Sequence, residues 1–348
     1  NSAIDPYQTI AGLSKYDYLF GEDAGNKFFA YRPSMIPNKD LGWEISRTAN
    51  FGVDFGLWNN RISGYIEGYI TKTSDLLMER TLPFFTGFSK VWQNIGKTEN
   101  KGIELNIQAN TLKTKSFSWE TTVTFARNWN KITELLGGGD IRNNSWFIGK
   151  PLQVHYNYEM IGVWQLGEEK EAQKYGAIPG DIKVKDQNND GSIGELDKVI
   201  LGQKDPKIIA SLLNSFRFGA FDASINLNMN FGSLIHPNPY ASLITRDGLR
   251  WMPSNFKYWT PDNPTNEYTR ADKLSGYDPF AGTGGYMKGD YIKIQDITLG
   301  YDFSKIMPKN WKILRARLYA QVRNLGYIYK ACKNDVSPEA PDFDYNIP

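Results

Sequence analysis

The stretch from Asp222 to Phe231 constrains the fold more than any other. Ala223, Ile225, Leu227, Met229 and Phe231 alternate with Asp222, Ser224, Asn226, Asn228 and Asn230. Successive side chains of a β-strand face opposite sides of the sheet, so one face of this strand is apolar throughout and the other polar throughout. A row of asparagines suits a packed core poorly, because every buried amide needs partners. Two surroundings satisfy such a strand. Its apolar side packs in a soluble sandwich with the polar side in water, or its apolar side meets lipid while the polar side lines a wet barrel lumen.

The pattern recurs along the chain. Phe51, Val53, Phe55 and Leu57 alternate with Asn50, Gly52, Asp54 and Gly56, and Asn59-Asn60 then makes a tight turn because Asn tolerates positive φ. Ile62, Ile66 and Ile70 share a face with Gly64 and Gly68. Ile103, Leu105, Ile107 and Ala109 oppose Glu104, Asn106, Gln108 and Asn110, while Trp119, Val123 and Phe125 oppose Glu120, Thr122 and Thr124. Residues 207–218 form a strand with weaker alternation. Two more follow, with Ile297, Leu299 and Tyr301 on one apolar face and Ala316, Leu318, Ala320 and Val322 on the other strand's.

The connections alternate in length. Short turns fall at 58–60, 112–116, 218–221 and 304–311, and long loops at 74–100, 131–206, 234–288 and after 328. Outer-membrane barrels have short periplasmic turns and long extracellular loops, whereas a sandwich has no reason to keep every second connection short. The apolar segment 155–165 would break the in–out parity if it spanned alone, so 131–206 reads as one extracellular excursion with local structure of its own. The expected fold is all-β: part of a transmembrane antiparallel β-barrel with long extracellular loops. Residues 1–40 form an extracellular loop region, 41–130 and 207–328 supply barrel strands, and 329–348 is a further extracellular loop. Eight such strands carry too much loop for a small barrel, and a final returning strand is not in the sequence, which points to a piece of a larger barrel.

Composition agrees. Aromatic residues reach 14%, which suits interfacial girdles or sugar-stacking surfaces. Net charge is +2 with Lys and Arg scattered, which gives no footprint for nucleic acid. One cysteine, Cys332, excludes an internal disulfide. No apolar run approaches the ~18 residues of a membrane helix. A mean hydropathy of −0.49 is compatible with a barrel, whose strands are apolar only at alternate positions. The N-terminus lacks the charged and apolar regions of a signal peptide and begins as though in mid-chain.

The sharpest motif is DQNNDGSIGELD, 186–197. Asp186, Asn188 and Asp190 take positions 1, 3 and 5 of a calcium loop, and Gly191 sits where the chain turns sharply. Ser192 offers its carbonyl and Asp197 takes the last position, where Glu is usual. Calcium is a hard ion wanting six to eight oxygens, and this spacing can wrap them around one structural ion in an extracellular loop. An Asx-turn loop with no ion uses the same residues. His155 and His236 are far apart in the sequence, with no partners for a triad or zinc site nearby, so no catalytic group is assigned and the protein is expected not to be an enzyme. Loop aromatics are the remaining candidates: Phe84, Phe85, Phe88 and Trp92, then Trp146 and Phe147, then Trp251, Tyr258 and Trp259. Of these Trp92, Trp146, Trp251 and Trp259 are candidate cargo contacts by stacking, and the same rings would serve to pack the loops.

Several stretches together resemble the SusC/RagA family of TonB-dependent outer-membrane transporters: NKDLGWEISRTANFGVDFGLWNNRISGYIEGYITKTSDLL, NIGKTENKGIELNIQA, IGKPLQVHYNYEMIGVWQ, PGDIKVKDQNNDGSIGELDKVILG and GDYIKIQDITLGYDF. They stand in the family order. The resemblance implies a 22-stranded plugged barrel in the outer membrane of a Bacteroidetes-type bacterium. It further implies uptake of oligosaccharides, with peptides in some members, driven by the TonB complex under a SusD-like surface lipoprotein. The plug domain and final strand are not in this sequence, and Asn324-Leu325-Gly326-Tyr327 departs from the family's aromatic-rich run. The alternative is a surface glycan-binding or adhesin-type β-protein without transport.

Overall fold

A computed structural model describes residues 12–19, 27–33, 36–237, 257–270, 280, 282–308, 313–332 and 336–339. The strands are β1 (Leu13–Leu19), β2 (Lys27–Pro33), β3 (Ile45–Leu57), β4 (Ile62–Thr81), β5 (Lys90–Lys113), β6 (Phe117–Leu135), β7 (Val154–Tyr158), β8 (Met160–Val163), β9 (Ile182–Val184), β10 (Lys198–Gln203), β11 (Ile208–Phe218), β12 (Phe221–Phe231), β13 (Leu234–Ile235), β14 (Met287–Lys288), β15 (Tyr291–Asp302) and β16 (Arg317–Lys330). One α-helix, α1 (Glu169–Lys174), lies between β8 and β9.

The eight strands expected from alternation form one sheet in the order β16-β15-β12-β11-β6-β5-β4-β3, each pair antiparallel where its register is defined. Register carries the two faces of β12 into its neighbours. Leu227 stands opposite Leu212 and Ile294, and Leu212 opposite Val123. Asn228 stands opposite Ser211 and Lys293, and Ser211 opposite Thr124. Large apolar side chains on the first face are widely exposed within the chain, Phe221 at 60% and Leu318 at 69%. Such a surface requires an apolar medium.

The weaker alternation of β11 has a local cause. Asn214 falls on the apolar face between Thr121 and Ile225. Its Oδ1 accepts from Thr121 Oγ1 at 2.8 Å and Trp119 Nε1 at 2.9 Å, and Thr111 Oγ1 donates on to Thr121 Oγ1 at 3.1 Å. Polar groups facing lipid must find partners within the protein.

The turns behave as their residues dictate. Trp58, Asn59 and Asn60 all have positive φ, and Gly219 makes the β11–β12 turn at φ +61°. Two expectations about loops are corrected. Residues 74–100 are mostly strand: β4 runs on to Thr81 and β5 begins at Lys90, so the loop is only 82–89. Side-chain clamps on backbone hold this extension. Asn94 Nδ2 donates to Asp75 O (2.7 Å) and Gly42 O (3.1 Å), and Leu77 N donates to Glu44 Oε1 (2.8 Å). The region 1–40 is not all loop either, since β1 pairs with β2.

Packing divides the chain into two units. One comprises Gly68–Gly102, Trp129–Leu152 and the chain up to Phe51. The other comprises Gly52–Glu67, Ile103–Asn128 and the chain from Gln153 onward. In the second, the excursion after β6 has the local structure its sequence implied: β7 pairs with β10 and β8 with β9.

Candidate functional site

The polar sheet face is a hydrogen-bonded wall. Asn226 pairs with Asp296 and Leu227 with Ile294, so Gln295 is an extra residue that bulges from β15. The bulge lets two successive residues serve one face. Asn226 Nδ2 donates to Asp296 Oδ2 at 3.2 Å, and Asn228 Nδ2 to Gln295 Oε1 at 3.3 Å. Gln321 Nε2 reaches Asp296 Oδ1 at 3.4 Å, and Arg323 Nε donates to Gln321 Oε1 at 3.2 Å.

At one end Asn230 Nδ2 donates to the Tyr291 hydroxyl at 3.0 Å. Glu339, from the segment after β16, docks beside it and accepts from Lys293 Nζ at 2.5 Å and Tyr327 OH at 2.7 Å. Towards the short turns Arg317 Nε donates to Asp222 Oδ1 at 2.9 Å. Gly300 lies under that pair; a Cβ there would stand 2.6 Å from both Arg317 Nη2 and Asp222 Oδ2. Amides donate and accept at once, so the wall can exchange partners with a polar solute without covalent chemistry.

The acidic loop is built on Asx turns. Asn188 Oδ1 accepts from Asp190 N at 2.9 Å, and Asp190 Oδ1 accepts from Ser192 N and Ser192 Oγ, both at 2.8 Å. Bonds from Ser192 and then Asn188 hold the Asp190 carboxyl below the usual range. Gly191, at φ +82°, sends its N–H to Asp186 Oδ2 at 2.9 Å. Asp186 Oδ1 is closed off from solvent and bonded to nothing among the described residues.

Asp197 is 1% exposed, and its oxygens accept from Gln187 N (2.8 Å) and Gly194 N (2.7 Å). Its carboxylate therefore closes the loop on backbone. Among the described residues no group of three or more His, Cys, Asp or Glu side chains stands ready to hold a metal. Asp197→Ala would leave two N–H groups unsatisfied, so we expect a loss of about 1–3 kcal/mol, read as a lower melting temperature and faster proteolysis within 186–197.

The four tryptophans have separate fates. Trp92 is half-buried on β5 and not in a loop, and its carbonyl accepts from Asn38 Nδ2 at 2.8 Å. Trp146 is half-buried, its backbone paired with Ile141. Trp259 is 6% exposed, with Nε1 donating to Gln165 Oε1 at 2.8 Å. A buried ring packs its loop and offers no stacking surface, which corrects its reading as a cargo contact. Trp251 lies outside the described residues. The open rings are Phe84 and Phe85, 99% and 87% exposed. His155 and His236, distant in sequence, meet around Tyr286 with their rings 6.3 Å apart. Each imidazole bonds a backbone carbonyl, His155 that of Leu234 in β13 and His236 that of Gly284.

The profile of the family described as "TonB dependent receptor-like, beta-barrel" matches residues 16–325. The chain belongs to that family. It is 29% identical over 324 residues to a TonB-dependent receptor of Formosa agariphila, covering 87% of this chain and 32% of the relative. It is also 29% identical over 320 residues to the TonB-dependent receptor SusC of Bacteroides thetaiotaomicron, covering 88% and 30%. The chain thus spans about a third of the length of these relatives. Its fold matches the structure of the RagAB peptide transporter with a TM-score of 0.72 at 21% identity, over 97% of this chain and 37% of that one. This TonB-dependent receptor barrel chain is accordingly an outer-membrane β-structure that crosses with strands. Its apolar sheet face meets lipid and its polar face the lumen.

Proposed function

We propose that the whole protein imports a polar oligomer through its lumen, an oligosaccharide in the first instance, with short peptides as the second reading. The wall of Asn226, Asn228, Gln295 and Gln321, gathered around the Asp296 carboxylate, carries this reading, because amides that donate and accept at once suit hydroxyl-rich or amide-rich cargo. The fold shared with the RagAB peptide transporter supports the second reading. Energy comes from the TonB complex acting on a plug domain, and a SusD-like surface lipoprotein lids the mouth.

The test is periplasmic accumulation of labelled oligosaccharides and labelled peptides in cells carrying the full-length protein, with and without an energised inner membrane. Asn226→Ala with Asn228→Ala should cut uptake of subsaturating cargo by about thirtyfold, given ~1 kcal/mol for each of the two lost hydrogen bonds. Energised uptake of peptides alone would move the cargo to the second reading. Surface binding of glycan without accumulation would favour a binding protein over a transporter.

The 186–197 loop we assign to a structural calcium ion. The free, buried Asp186 Oδ1 supports this, since an unpaired carboxylate oxygen costs stability unless something neutralises it. Asp186, Asn188, Asp190 and the Ser192 carbonyl would hold the ion, with Asp197 fixing the loop around them. EDTA should lower the melting temperature of the native protein and leave that of Asp186→Ala with Asp190→Ala unchanged. No EDTA effect on the native protein removes the ion.

A further inference from the structure

We infer that Lys72, Lys101 and Lys131 bind the phosphate groups of an anionic glycolipid head group in the outer leaflet. The three ammonium groups converge on one carboxylate. Lys101 Nζ and Lys131 Nζ stand 3.1 and 3.2 Å from Glu99 Oε1, and Lys72 Nζ 3.8 Å from Glu99 Oε2. Three lysines against one glutamate leave two positive charges in excess. Neighbouring cations do not share that excess, because Lys97 is paired with Glu134 at 2.6 Å and Lys90 with Glu79 at 2.8 Å. Glu99 is nearly enclosed, while Lys101 and Lys131 are about half exposed and Lys72 more so. Glu99 Oε1 also takes no well-aligned hydrogen bond, so most ammonium N–H groups remain to be used. A phosphate offers three strong acceptor oxygens to such a group.

The position of the cluster selects a lipid over a soluble anion. Hydrogen bonds from Asn106 to Thr124 and from Thr111 to Thr121 fix which residues of β5 and β6 share a face. By strand alternation Glu99 and Lys101 then continue the row of Ile103, Leu105 and Ile107, the apolar face. Lys72 stands two residues beyond Ile70 on β4, and Lys131 two beyond Trp129 on β6. Ile70 and Trp129 are 44% and 43% exposed. Lys72 and Lys101 lie near the middle of the long strands β4 and β5 and Lys131 near the end of β6, all beyond the part of each strand that adjoins its short turn and so toward the extracellular side. Acyl chains beside the isoleucines would bring a phosphorylated head group level with the lysines, and basic clusters at that depth bind anionic head groups.

The test is native mass spectrometry of the full-length protein extracted from its own outer membrane in mild detergent. Wild type should carry a phosphorylated glycolipid, and Lys72→Gln with Lys101→Gln and Lys131→Gln should retain at least about tenfold less. Delipidated wild type should rebind purified bisphosphorylated glycolipid. It should bind neither the enzymatically dephosphorylated lipid nor inorganic phosphate at the same concentration. Glu99→Gln keeps all three cations and removes their competitor, so it should bind the glycolipid at least as well as wild type. Heat-modifiable gel mobility reports folding of each variant. Equal lipid retention by the triple variant would overturn the assignment. Equal binding of the dephosphorylated lipid, weaker binding by Glu99→Gln, or loss of a copurifying protein instead of lipid would do so too.

Discussion

Leu227→Arg should destabilise the barrel by about 2–4 kcal/mol, while Asn228→Arg costs under about 1 kcal/mol. Adjacent residues on one strand thus differ because they face different solvents. Leu227 is the seventh of the eleven residues of β12, close to the middle of a strand of membrane-spanning length. Its row across the sheet is Val123, Leu212, Leu227 and Ile294, without a polar group to receive a guanidinium. The row of Asn228 contains Thr124, Ser211 and Lys293 and borders water. Denaturant titration of the full-length protein refolded into phospholipid vesicles measures both variants. Equal losses would mean that both faces of β12 see the same medium.

Gly64→Val should prevent β4 and β5 from pairing. A Cβ on Gly64 would stand 2.0 Å from Asn106 O and 3.0 Å from Ile107 Cα. Those are backbone atoms of the neighbouring strand, so no side chain can swing aside and the ladder itself must shift. Overpacking of this kind costs about 1–3 kcal/mol where side chains can adjust, and more is expected where they cannot. Gly68 is the control on the same strand and face, since its nearest atom is Gly102 O at 3.8 Å. Outer-membrane yield and heat-modifiable mobility should collapse for Gly64→Val and survive Gly68→Ala. Normal assembly of Gly64→Val would show that the strands are spaced more widely here.

The sheet was legible wherever lipid and water lie on opposite faces. That contrast writes alternation into β3, β12 and β16, and all eight strands fall where the alternation places them. The rule lapses where no lipid exists. Residues 74–81 and 90–100 carry no clean two-face pattern, yet they are strands, because backbone ladders and clamps from Asn94 and Glu44 hold them. Asn214 blurred β11 for the opposite reason: it is a polar residue on the lipid face, and only the register shows that Thr121 and Trp119 satisfy it.

The candidate sites divide in the same way. Spacing alone located the turn at Gly191 and the Asx bonds of Asn188 and Asp190. It did not show that Asp197 caps Gln187 and Gly194, because those contacts arise only when the loop closes on itself. Residue type could not separate the buried Trp259 from the open Phe84 and Phe85. The bulge at Gln295, which turns two β15 residues to the lumen, leaves no composition signal. Nor does the meeting of Lys72, Glu99, Lys101 and Lys131, four residues drawn from three strands.

Solvent facing along Asp222–Phe231 is the claim on which the rest depends. Single cysteines placed at each of these ten positions in the full-length protein, with the buried Cys332 replaced, can be spin-labelled and probed in bilayers with oxygen and a water-soluble nickel chelate. The account predicts a two-residue period: positions 223, 225, 227, 229 and 231 favour oxygen, and 222, 224, 226, 228 and 230 favour the chelate. A profile without that period, or with the two sets exchanged, would contradict it.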